Sequence, residues 1–161
     1  MLKKGLFLFL LILFHSCNTN TVFSEYQSIE KGWNKNKKIT FSFQAPDTIG
    51  NYDMFINLRN DENYKYNNLF LIVEMRFPNS EVISDTLEYE MAKSSGEWLG
   101  KGFTSLKESK LWYKEAVTFP ISGEYEVHIE HAMRSNGSIE GVSVLEGIND
   151  VGIEIEKVIK N

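Results

Sequence analysis

From Ile39 onward, apolar residues recur at every second position, and that period decides what the chain can fold into. Ile39, Phe41 and Phe43 alternate with Thr40 and Ser42. Met54, Ile56 and Leu58 alternate with Phe55 and Asn57, and Leu69, Leu71, Val73, Met75 and Phe77 form a longer series. The same period runs through residues 82–91, 111–119, 125–131 and 151–155, so seven or eight strands are expected. Pro46-Asp47, Asn60-Asp61-Glu62-Asn63, Pro78-Asn79-Ser80, residues 120–123 and Ser135-Asn136-Gly137 separate them with turn chemistry. Asn136-Gly137 suits a tight hairpin, because both residues tolerate positive φ. Beyond residue 17 no sustained 3.6-residue stripe exists, and only residues 102–110 could hold a short helical turn. Strands of this kind each bury one face, and two antiparallel sheets packed together supply that core. The expected fold is all-β, an antiparallel β-sandwich that is jelly-roll-like or immunoglobulin-like. With 161 residues, 42% of them apolar, it forms one domain.

The first residues follow a different rule. Lys3 and Lys4 precede an apolar run over residues 5–14, and His15-Ser16-Cys17 closes it. This reads as an export signal, too short for the ~20 apolar residues that span a bilayer. The only cysteine stands where the run ends, so the economical reading is a lipoprotein signal over 1–16, cleaved before a diacylglycerol-bearing Cys17. Ser16 fits that signal, whereas Phe14 and His15 replace the usual Leu and Ala or Ser; an ordinary secretory signal is the alternative. Residues 17–34 are polar and lack a sustained period, so they are expected to form the lipidated N-terminus and a tether to a sandwich over 35–161. Loss of Lys3 and Lys4 leaves 15 of the 17 cationic residues against 22 acidic ones, a body of net charge −7. Anionic headgroups repel such a body, so the acyl chains must hold it.

The acidic balance also argues against nucleic acid as a partner. One cysteine excludes an intramolecular disulfide, and three histidines leave little for a metal site. Glu88 and Glu90 lie ~6.6 Å apart at Cα on one strand face, a spacing that invites a glycosidase reading. The arrangement recurs at Glu124 and Glu126 and at Glu154 and Glu156, always opposite apolar residues, as a solvated sheet surface would. His128 and His131 fall on opposite strand faces, His131 with the core parity and His128 toward solvent. Gly141-Val142-Ser143 lacks the second glycine of a nucleophile elbow, Leu145 standing in its place. Gly100-Lys101-Gly102 is too short for a dinucleotide loop, and Asp61-Glu62 lacks EF-hand spacing. No catalytic residue, metal ligand, cofactor or small-molecule substrate is therefore assigned.

The aromatic residues hold the remaining interest. Trp112 and Tyr113 are adjacent on a strand, so one must point outward, where it could stack on a sugar ring or a partner protein. Trp98, with Tyr64 and Tyr66, is placed on loops at a sandwich end. Trp98, Trp112 and Tyr113 are the candidate contact residues.

Several segments carry a family resemblance. They are Asn51-Tyr52-Asp53-Met54-Phe55-Ile56-Asn57-Leu58-Arg59-Asn60, Tyr64-Lys65-Tyr66-Asn67-Asn68-Leu69-Phe70-Leu71 and Asp85-Thr86-Leu87-Glu88-Tyr89-Glu90-Met91-Ala92. Trp98-Leu99-Gly100, Lys110-Leu111-Trp112-Tyr113-Lys114 and Leu145-Glu146-Gly147-Ile148-Asn149-Asp150-Val151-Gly152 extend it. Together with Cys17, these resemble the GldH family of gliding-motility lipoproteins over nearly all the mature chain. The resemblance implies a lipid-anchored envelope component, the outer membrane favoured over the inner. Its partners would be the membrane, through the lipid on Cys17, and other proteins of the gliding or secretion machinery that exports and moves surface adhesins. It carries over no catalytic residue, and the function it implies is a non-enzymatic structural or interaction subunit. A carbohydrate-binding surface lipoprotein is the alternative.

Overall fold

The computed structural model describes residues 20–135, 137 and 139–159. Its strands are β1 (Thr21–Ser28), β2 (Trp33–Asn34), β3 (Ile39–Gln44), β4 (Tyr52–Asn60) and β5 (Asn68–Arg76), then β6 (Val82–Glu90), β7 (Lys107–Val117), β8 (Glu124–His131), β9 (Val144–Leu145) and β10 (Ile148–Lys157). All pair antiparallel, in one sheet of order β1-β10-β4-β7 and a second of order β3-β8-β5-β6, with β2 and β9 as a short third pair. The eight long strands form nested pairs: β1 with β10, β3 with β8, β4 with β7, β5 with β6. That nesting is a long antiparallel hairpin rolled into two layers, a jelly roll. The all-β sandwich is thus the observed class, and of its two expected topologies the jelly-roll one.

Alternation positions the core. Ile39, Phe41 and Phe43 of β3, Leu69, Leu71, Val73 and Met75 of β5, and Tyr125, Val127 and Ile129 of β8 are buried against Met54, Ile56, Leu58, Val151, Ile153 and Ile155 of the other sheet. At the end where β1 begins, Phe43, Phe119 and Tyr125 form a three-ring cluster with centroids 5.1–5.7 Å apart, joined by Tyr52 and Phe23. Such pairs add about 0.5–1.5 kcal/mol each beyond area burial.

Two expectations are corrected. The tether does not extend to residue 34, because Thr21–Ser28 is an edge strand of the first sheet and Ile29 and Trp33 are core residues. The strand has polar residues because its inward positions, Glu25 and Gln27, lie at the sandwich margin; Gln27 Nε2 donates across it to the Thr40 carbonyl at 2.6 Å. A register shift between Thr21 and Phe23 further breaks its alternation. Nor do residues 102–110 hold a helical turn. Strand β7 begins at Lys107, and no residue described is helical. The tight-hairpin expectation rests partly on Asn136, which lies outside the described residues, as do the leader and Cys17.

Candidate functional site

Because β4 is a central strand, both of its faces need covering, and its outward residues Phe55 and Asn57 are buried as well as its inward ones. A layer of side chains does this on the outer face of the first sheet. The Trp112 ring lies against Phe55 with centroids 4.4 Å apart, and Lys110 Nζ sits 4.2 Å over the same Phe55 ring. Lys110 pairs with Glu154 at 3.1 Å and Glu156 at 2.8 Å. Glu154 also accepts from Asn57 Nδ2 at 2.7 Å and Thr21 Oγ1 at 3.1 Å. Burial works to raise the Glu154 pKa, but the bonds from Asn57 and Lys110, the Lys110 charge and Thr21 outweigh it and hold the carboxyl below its ordinary value. Glu154 is therefore an ionised anchor of the layer and not the freely solvated residue its spacing suggested.

The layer continues toward β1. Arg59 stacks 4.5 Å over the Tyr26 ring and pairs with Glu108 at 3.2 Å, while Tyr26 Oη donates to Glu108 at 2.9 Å. Gly152 beneath makes room, since a Cβ there would stand 2.8 Å from Tyr26 Cδ1. The result is a plateau of paired charges from which Trp112, 55% exposed, presents an open aromatic face. Rigid aromatic area of this kind suits contact with a protein surface or a sugar ring.

The other two candidate aromatics lie elsewhere. Tyr113 points inward and is only 8% exposed; its hydroxyl donates to Asp85 at 3.2 Å, and Lys114 reaches the same carboxylate at 2.8 Å. Burial pushes the Tyr113 phenol well up, and Asp85 adds to it. Tyr113 is a packing residue and is removed from the contact set. Trp98 is half-buried at the opposite end from the Thr21 terminus, against Tyr64 with centroids 6.1 Å apart, and Tyr66 closes the group. The three candidates do not converge.

Two further surfaces were not singled out from the sequence. A groove of about 980 Å³ on the outer face of the second sheet has Phe70 and Ile72 as its apolar floor and Lys65, Asn68, Thr86 and Arg134 around it. Its signal was available in β5, where Phe70 and Ile72 put apolar residues on the face opposite the core series. The β6–β7 connection exposes Leu99, Leu106 and a fully exposed Phe103.

His131 is buried as its parity required, its Nε2–H donating to the Trp33 carbonyl at 3.0 Å and its ring edge-on to the Trp33 indole. His128, on the other face, bonds Thr40 Oγ1 at 2.8 Å and lies 3.6 Å from Glu126. Among the described residues no group of three His, Cys, Asp or Glu could hold a metal ion. Burial pulls the His131 pKa below the ordinary histidine value of 6.5, and the Trp33 bond offsets this only in part. The unfolded chain therefore binds a proton that the folded one resists. Stability should fall as pH drops below about 6.5, before the carboxylates titrate. Urea midpoints measured from pH 7.5 to 5.5 should show this slope, and His131→Gln should flatten it. Equal slopes in both proteins would refute the assignment.

A model of the GldH lipoprotein family matches residues 21–155. The gliding motility lipoprotein GldH homolog of Christiangramia forsetii is 54% identical over 152 residues, covering 94% of this chain and 93% of that one. The gliding motility lipoprotein GldH of Flavobacterium johnsoniae is 48% identical over 155 residues, covering 96% of each. Among solved structures, the infectious bursal disease virus Gx strain aligns with a TM-score of 0.38 at 13% identity, over 84% of this chain and 30% of that one.

Proposed function

The chain belongs to the GldH lipoprotein family, and from that premise we propose that it is a cell-envelope subunit of the gliding-motility machinery, lipidated at Cys17 and acting by contact without catalysis. Its contacts serve the export and movement of surface adhesins, and the outer membrane is its favoured site. The observation that carries this reading is near-full-length similarity to two proteins named for gliding motility. The plateau around Trp112 supports it, since its carboxylates are held by cations and amides and its open element is an aromatic ring. Deleting the gene should abolish spreading on surfaces and impair adhesin export; normal behaviour in both assays would sink the proposal.

Lipid attachment has its own test. Cys17→Ser should leave the body folded, because the described sheets begin at Thr21, yet move the chain from the membrane fraction to the soluble one. Retention of that variant on membranes after a salt wash would point to attachment through a protein.

A second reading, glycan binding, is favoured by the exposure of Trp112 on the outer face of the first sheet. Polysaccharide pull-down that disappears in Trp112→Ala, with the fold retained, would support it; absence of binding to every glycan tried would count against it.

A further inference from the structure

We infer that the end of the sandwich at which β1 begins rests directly on the bilayer, with Ile49 and Ile159 entering the headgroup boundary. The inference builds on lipidation at Cys17 and adds an orientation to it. Only Asn18, Thr19 and Asn20 separate Cys17 from β1, and Asn20 is already fixed, its carbonyl accepting from the Lys157 amide at 2.8 Å. Three Cα steps from Cys17 to Asn20 can reach no more than about 11 Å. The polar zone of one leaflet is itself about 5–8 Å deep, so a lipid seated in the hydrocarbon draws this end of the body against the surface.

Strand register fixes which residues share that end. Thr21 is opposite Glu156, Lys157 opposite Tyr52 and Tyr52 opposite Val117, while the Val158 amide bonds the Asn51 carbonyl at 2.9 Å. The β3–β4 turn and the chain after β10 therefore flank the start of β1. Both carry an exposed isoleucine, Ile49 at 88% and Ile159 at 60%. Ile49 is held out rigidly: Asp47 accepts its amide at 3.0 Å, the Gly50 amide, and the Tyr52 hydroxyl at 2.6 Å. Lys157 stands 3.6 Å from the same Asp47 carboxylate and offsets its charge. An isoleucine projected by a fixed turn within reach of lipid gains apolar cover at little cost in ordering. The eight residues of β1 span about 25 Å, so Phe103, at the other end, cannot reach the same membrane.

The test uses the full-length lipoprotein in phosphatidylcholine vesicles, with a polarity-sensitive nitrobenzoxadiazole label on Ile49→Cys, Ile159→Cys or Phe103→Cys. Expected are blue-shifted emission at positions 49 and 159 and loss of most of it to doxyl-lipid quencher, with neither effect at 103. Solvent-like emission at both 49 and 159 in a vesicle-bound chain, or quenching at 103 instead, would overturn the orientation. A chain that washes off the vesicles with an unmodified Cys17 by mass spectrometry would overturn the lipidation on which it rests, a result separate from the label readings. Because all three positions are exposed, the labels leave the core intact.

Discussion

Trp33→Ala should lower the unfolding free energy by about 3–5 kcal/mol, the range for deleting a fully buried large aromatic side chain. Trp33 lies on β2, a strand of only two residues, yet no part of it is exposed. Its indole Nε1 donates to the Lys37 carbonyl at 2.9 Å, its own carbonyl accepts from His131, and its ring closes the sandwich end over that histidine. The truncation would leave a cavity and break the indole bond to the Lys37 carbonyl together. Denaturant titration of the body from Asn20 onward should show a lower midpoint at unchanged slope. A loss below about 1 kcal/mol would mean that residues 29–38 unfold separately from the two sheets.

Gly147→Ala should be comparably damaging, at about 3 kcal/mol. Gly147 has φ +80°, where a side chain costs about 1–2 kcal/mol. A Cβ there would also stand 2.0 Å from the Tyr64 amide nitrogen and 2.5 Å from its Cα, and forced overpacking of this kind adds about 1–3 kcal/mol. The neighbour is backbone, so no rotamer relieves it. The loop it would displace is anchored by the Asp61 amide on the Gly147 carbonyl at 2.9 Å and carries Tyr64 onto Trp98. Gly96→Ala provides the control: φ is +84°, but nothing lies within 4 Å of the added carbon. The difference between the two variants isolates the Tyr64 contact, and equal midpoints would refute it.

Strand parity made the inward face readable. The alternation of Tyr125, Val127, Ile129 and His131 placed all four inside, and the adjacency of Trp112 and Tyr113 required that one face outward. Parity says nothing of which one, because that depends on the register of β7 with β4, where shifts occur on both sides of Met54. Strand β1 was hidden for a related reason: at a sandwich margin the inward positions need not be apolar, so Glu25 and Gln27 carry no periodic signal. The plateau was half-legible, since Phe55 and Asn57 opposite an apolar series suggest a strand covered on both faces. The residues that cover Phe55 and Asn57, namely Trp112, Lys110 and Glu154, are distant from them in sequence and converge only through pairing.

The placement of β10 between β1 and β4 has a bearing on biogenesis. Strand β1 finds its neighbour only once β10 has emerged, so the first sheet cannot close before that. A polypeptide cut short before Ile148 would therefore leave β1 without its neighbour and open to proteolysis. The edge strand β1 is thus secured late, by a partner more than a hundred residues further along the chain.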